Sequence, residues 1–387
     1  MTAGSTPARL IPIEIAAGQV LEPLTAGRTP RPPGAGSTPR AALEVVLLRA
    51  LAAGPCGVSF SGGRDSSLVL AIAAHVARRE GLPDPVAVTM RHRSVESQED
   101  EFQKLVLDHL AITDHRVVEL GDSMDAVGPT STQLLSNHGV RFPPNAYLHD
   151  PLCHALGPGT LLTGVGGDEL LGTSGGHLAQ VLAGRTRPRP RDVLSTMLAL
   201  SPRPMRAHRE QRAFERPSWL TRTAADRVVR HQAWDSSRVR LRWDIAAMRY
   251  SASRTVAVFD ETLRLVGRPH GVKPVNPLLD SEFVAAQSRA AGFAGHRSRT
   301  DAMRLLGGDL LPEPVLTRPT KASFGSAVWG DPFRDLVTAW NPRWSMPALQ
   351  EAVDPDGLRM EWNRPRPHFG TMMLAQQAWL DLTAGSR

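Results

Sequence analysis

Ser61, Gly62, Gly63, Asp65, Ser66 and Ser67 fall within seven residues of one another, inside the run VSFSGGRDSSL from Val58 to Leu68. Glycines let backbone N–H groups close on an anion, and a helix N-terminus adds its dipole. A strand that feeds such a loop into an apolar helix, here Leu68 to Ala77, therefore makes a phosphate seat. The loop carries no lysine, and Asp65 in its place suits a Mg²⁺ ion that bridges to phosphates. The chemistry this predicts is pyrophosphate binding, as in cleavage of ATP to AMP and pyrophosphate. A serine- and glycine-rich turn at a strand end is the plain alternative, and the fullness of the match in a strand–loop–helix setting weighs against it.

A second stretch, TLLTGVGGDELLG from Thr160 to Gly172, repeats the theme. Thr160 to Thr163 reads as a buried strand, and Gly164, Gly166 and Gly167 let backbone approach a ligand closely before Asp168 and Glu169. Asp168, at the end of a strand beside the one that leads to Asp65, is a candidate second carboxylate for the same metal. Taken alone, GGDE is equally well a helix N-cap with acidic residues on the dipole. The third stretch, LLPEPVLTRPTKASFG from Leu310 to Gly325, has prolines at 312, 314 and 319 that forbid a continuous helix. Arg318 and Lys321 then stand on an irregular segment.

The elements around these stretches define the scaffold. Apolar spacing gives a helix from Ala42 to Leu51, ended by Gly54-Pro55, and another from Leu68 to Arg79. Val86 to Met90 is a buried strand, Glu96 to Leu110 an amphipathic helix and Val117 to Leu120 a third strand; a further helix includes His154. Strands alternating with amphipathic helices predict an α/β fold, a parallel sheet with helices on both faces, whose ligand sits at the C-terminal strand edge. Residues 41–176 form this sheet core. Residues 177–387 read as a mostly helical subdomain that completes the site, with turns at Ser201 to Pro204 and Gly267 to Pro277. Residues 1–40, rich in Pro, Gly, Thr and Ala, read as a flexible segment with one hairpin at Leu10 to Leu24.

Composition narrows the class. The 387 residues suffice for one large domain or two moderate ones, at about 100–200 residues per domain. No apolar run approaches the roughly 18 residues of a membrane span, and no basic-then-apolar leader opens the chain, so no membrane association and a cytoplasmic location are expected. Cys56 and Cys153 form neither a disulfide framework nor a metal spacing. The net charge of +7 is carried almost wholly by arginine, since Lys104, Lys273 and Lys321 are the only lysines. The basic run from Arg185 to Arg191 lacks the aromatic interleaving of a nucleic-acid site, so a solvated loop or an acidic carrier or partner protein fits it better.

With SGGRDSS (Ser61 to Ser67), GVGGDELLG (Gly164 to Gly172), NPLLD (Asn276 to Asp280) and LPEPVLTRPTKASFG in this order, residues 40–335 resemble the synthetase domain of glutamine-dependent asparagine synthetases. The same domain occurs in β-lactam synthetases and lasso-peptide cyclases. SQEDEFQKLVLDHLAITDHRVVEL, Ser97 to Leu120, is similar to that family's second helix and third strand. The resemblance implies an ATP-pyrophosphatase fold of the HUP-like kind, with ATP and Mg²⁺ as cofactors. It also implies a two-step reaction in which a carboxylate is adenylated and a small-molecule or peptide amine then displaces AMP. By position, Ser61, Gly63, Asp65 and Ser66 would hold pyrophosphate and metal, with Asp168 as second metal ligand. Met90 and Gly164, at the ends of adjacent strands, would flank adenine and ribose, and Lys321 would stabilise the developing oxyanion and departing phosphates.

Two departures qualify the carry-over. The glutaminase domain expected before this one, with its N-terminal cysteine, is not matched: position 2 is Thr2 and only the Leu10 to Leu24 segment resembles that domain's end. Val165 stands where asparagine synthetases carry Glu and β-lactam synthetases carry Tyr, and an aliphatic side chain cannot deprotonate an amine. Tyr250, Glu261 and Glu282 are the candidate replacement bases. The reading is an amide-forming ligase of specialised biosynthesis. Its competitors are a tRNA-modifying ATP pyrophosphatase and a non-catalytic nucleotide-binding partner of another subunit.

Overall fold

The computed structural model describes residues 9–23, 36–92, 99–121, 124–172, 176–189, 192, 197, 200–238, 242–319 and 327–385. In chain order its first elements are α1 (Pro12–Ala17), α2 (Pro39–Leu51), β1 (Cys56–Ser59), α3 (Arg64–Arg79), β2 (Val86–His92), α4 (Asp100–Leu110), β3 (His115–Leu120), α5 (Pro129–His138), α6 (His149–Leu156), β4 (Gly159–Leu162) and α7 (Gly167–Leu170); β5 (Val272–Val275) follows much later. All five strands are parallel, in the order β3-β2-β1-β4-β5. Val58 at the centre faces Ala87 on one side and Leu162 on the other.

Successive strand residues point to opposite faces, and both faces are apolar because helices cover both. Val58, Ala87 and Leu162 pack with α2, α3 and α4 through Leu43, Leu47, Val69 and Val106. Val88, Leu161 and Val272 pack with Leu152, Cys153 and Leu156 of α6. The α/β expectation of a parallel sheet sandwiched by helices therefore holds.

Two expectations change. Residues 272–275 lie where the sequence suggested a turn in a helical half, yet they form β5, the edge strand beside β4. VKPV is short and polar for a strand, and Pro274 is tolerated because an edge strand has one side free of ladder bonds. Over its described residues, 10–23, the predicted hairpin at Leu10 to Leu24 is instead helix α1 followed by chain without regular secondary structure. The alternation Ile11, Ile13, Ile15 looks like a strand, but tertiary contacts override it. Glu14, almost fully buried, accepts hydrogen bonds from the backbone N–H groups of Ile11 (2.9 Å) and Leu21 (2.8 Å) and pairs with Arg254. Trp219 Nε1 donates to the Ala16 carbonyl at 2.9 Å.

The core over the sheet does not stop at residue 176. It continues through Trp243, Phe283, Ala302 and Met303 to Leu316, because the helices Ser281–Ala291 and Arg299–Gly307 pack on α2 and α3. A second core gathers Ile13 and Ile15 of α1 with Trp219, Trp329, Phe333, Trp340 and Trp362, joining the start of the described chain to its end. No helix among the described residues is long and apolar enough to cross a membrane.

Candidate active site

β1 delivers the chain to a turn in which Gly62 takes a left-handed φ of 80°, and helix α3 starts at Arg64 with Gly63 as its N-cap. The helix thus begins four residues before the apolar run and takes Asp65, Ser66 and Ser67 into its first turn. The loop serines shape the loop. Ser61 Oγ accepts from Gly63 N at 3.2 Å, while Ser66 Oγ accepts from Ser61 N at 3.2 Å and donates to the Gly63 carbonyl at 3.1 Å. Ser67 is fully buried and turned into the core, so its hydroxyl does not reach the loop surface.

The loop after β4 closes directly on this turn. A Cβ at Gly164 would lie 2.8 Å from Ser66 N, and one at Gly167 would lie 2.1 Å from Asp65 Cγ. These glycines serve the approach of two loops to each other, whereas the sequence suggested approach to a ligand. The result is that Asp65 and Asp168 converge at the C-terminal edge of the sheet. Arg299, first residue of the helix Arg299–Gly307, bridges them: Nη1 meets Asp168 Oδ1 at 2.5 Å and Nη2 meets Asp65 Oδ2. Two carboxylates close enough to share one cation are a donor pair that would also suit a divalent metal. Among the described residues no group of three or more acidic, His or Cys side chains could hold a metal.

Basic side chains surround the loop. Burial, then the nearby Arg299, lower the proton affinity of the Arg64 guanidinium, which donates to the Leu316 carbonyl at 3.4 Å. Arg318, on the irregular segment, is buried and makes a two-pronged pair with Glu99 at the start of α4. It also donates to the Gly62 carbonyl at 3.1 Å and lies 3.9 Å over the Phe102 ring. That anchors the chain just before Lys321, which itself lies outside the described residues.

The candidate bases separate. Tyr250, on the helix Trp243–Ser251, is half-buried, packs on the same core as Val165, and is hydrogen-bonded to Glu169. Burial, reinforced by the carboxylates of Glu169 and Asp168, pushes its phenol well above the usual tyrosine range, so it cannot serve as a base by itself. Glu261 faces Arg264 at 3.4 Å and Arg141 on the exposed side of its helix, and Glu282 pairs with Arg49 at 3.0 Å on the surface. Neither meets Asp65 or Asp168 among the described contacts. The neighbour of Glu261 is more interesting. Asp260 accepts from Asn276 Nδ2 at 2.6 Å, Asn276 Oδ1 accepts from Thr163 Oγ1 at 2.5 Å, and Thr163 Oγ1 accepts from Val165 N at 3.2 Å. Burial raises the Asp260 carboxyl above the usual range.

Met90 and Gly164 are not on adjacent strands. β1 lies between β2 and β4, so the two residues flank the loop from either side. Met90 stands opposite Val118 and packs against Val118 and the α6 face, two residues before the end of its strand.

Missed by sequence reading were Arg299, Glu99 and Asp260. Arg299 and Asp260 sit on helices of ordinary composition and Glu99 caps one, and only the approach of distant elements gives each a role.

A five-stranded parallel sheet with helices on both faces and a glycine-rich turn from β1 into α3 is consistent with the ATP-pyrophosphatase fold. The sequence model of one family, described as asparagine synthase, matches residues 41–382, and the chain belongs to that family. It is accordingly an ATP-dependent carbon–nitrogen ligase, acting on a carboxylate and an amine. A search of curated proteins finds no match.

Proposed function

We propose that this ligase adenylates its acid. The substrate carboxylate attacks the α-phosphorus of ATP and expels pyrophosphate; an amine then attacks the activated carbonyl, loses a proton and expels AMP. The observation that carries this reading is the convergence of Asp65 and Asp168 beside the Ser61–Ser66 loop and the N-terminus of α3. Asp65 and Asp168 would hold Mg²⁺, which supplies charge neutralisation on the triphosphate. The Gly62 and Gly63 backbone and the α3 dipole bind the pyrophosphate, and Arg64 adds positive charge. Lys321 takes the oxyanion role, so Lys321→Ala is expected to lower turnover by about 10²–10³.

Proton removal from the amine falls to a relay. Tyr250 donates to Glu169, so the phenol oxygen accepts the amine proton as its own proton passes to the Glu169 carboxylate. This assignment accommodates the aliphatic Val165. Val165 also supports an acid and amine different from those of asparagine formation, and hence a role in specialised biosynthesis.

The test follows AMP and pyrophosphate in reactions of the protein with ATP, Mg²⁺ and candidate acids. Mass spectrometry of reactions fed with cell extract would seek an ATP-dependent loss of water. Asp65→Asn and Asp168→Asn should each abolish pyrophosphate release with the fold retained; wild-type rates in either variant would remove the two-carboxylate assignment.

A further inference from the structure

Arg299 is placed as though it were the metal. Its guanidinium contacts one carboxylate oxygen of Asp65 and one of Asp168, side chains that belong to two different loops. The pose leaves the guanidinium incompletely satisfied, because Arg299 Nε is buried without a hydrogen-bond partner. Cations are also crowded here, with Arg64 beside Arg299. The backbone of Arg299 is secured independently, by the Ser298 cap whose Oγ accepts from Asp301 N at 3.0 Å, so the side chain can swing without disturbing its helix.

We infer that Arg299 is a built-in counter-cation that closes the seat between Asp65 and Asp168 until the triphosphate arrives with its metal. This rests on the reading of Asp65 and Asp168 as the metal carboxylates and adds an order of events to it. A divalent cation and a guanidinium repel each other and compete for the same carboxylate oxygens. Free metal therefore meets an occupied seat, and only a small fraction of the protein is competent to bind it. The negative charge of the triphosphate changes the balance: it brings the metal, and it offers the released guanidinium a new partner. Arg299 also removes the repulsion that two adjacent carboxylates would otherwise suffer in the empty site.

The experiment measures Mn²⁺ binding by electron paramagnetic resonance, with and without α,β-methylene-ATP, which cannot release pyrophosphate. Wild type should bind Mn²⁺ weakly alone and much more tightly with the nucleotide. Arg299→Gln should bind Mn²⁺ alone more tightly than wild type, on the order of tenfold, since the competent fraction rises. Arg299→Lys, which keeps the charge, should stay near wild type, and circular dichroism should show each variant folded. An Arg299→Gln protein that is folded yet binds Mn²⁺ alone no better than wild type overturns the inference. If wild type takes up no Mn²⁺ even with the nucleotide, the underlying metal reading fails instead, so the two failures are distinguishable.

Discussion

Arg318 and Glu99 lie 219 residues apart and form a buried, two-pronged ion pair with contacts of 2.8 and 2.9 Å. Arg318 is 6% exposed and Glu99 2%. Because the same guanidinium also holds the Gly62 carbonyl, the pair ties together the phosphate loop, the start of α4 and the segment leading to Lys321.

Removing one member of such a pair strands a charge in the interior, at a cost of about 3–5 kcal/mol. Glu99→Gln and Arg318→Met should each lower stability in urea titrations by that order, and the double substitution should lose less than the sum. Additive losses would show that the two groups act separately.

Gly167→Ala puts a methyl group where Asp65 Cγ already stands, at 2.1 Å. A displacement of about 1 Å at a reacting centre costs on the order of 10² in rate. Pyrophosphate release should fall by that factor, while Gly121→Ala, whose new Cβ meets nothing within 4 Å, should leave it unchanged. Equal rates for both variants would show that the two loops need not touch.

Cys56 and Cys153 are buried, and burial pushes both thiols up to about 12. The thiolate is the reactive form. A disulfide reagent at pH 8 should titrate neither thiol in the native protein and both in denaturant. Rapid reaction of one thiol under native conditions would mean that its helix or strand opens easily.

Acid should destabilise the fold from about pH 6.5 downward, through its buried histidines. Burial holds His115, His138, His149, His231 and His296 below the ordinary 6.5. Below 6.5 the unfolded chain binds protons at these sites that the native chain does not. Stability is therefore full above that pH and falls as pH drops from 6.5 toward the native values. His296, whose Nε2 lies 2.8 Å from Gln287 Nε2, is a good probe: His296→Asn should reduce proton uptake on unfolding at pH 5.5 by up to about one proton. A pH-stability curve identical to wild type would mean that His296 binds its proton equally well in the folded and unfolded chain.

What the chain determines by itself is local. Glycines next to a serine and an acid, placed between a short apolar run and an amphipathic helix, specify a turn and a helix start with few alternatives, so the Ser61–Ser67 loop, strands β1 to β4 and helices α2, α3, α4 and α6 are legible from residue order, whereas α5 is not. The boundaries moved only slightly, as when α3 began at Arg64. Tertiary structure decided everything that depends on a distant neighbour. Pro12–Ala17 is a helix because Glu14 and Trp219 fasten it to the second core, although its isoleucines alternate like a strand. Val272–Val275 is a strand because β4 offers an edge. Arg299 bridges Asp65 and Asp168, and Tyr250 meets Glu169, because helices more than 80 positions downstream pack onto the sheet. Backbone preference acts over a few residues, whereas a charge or hydroxyl acquires its partner only when packing of the whole core brings the two together.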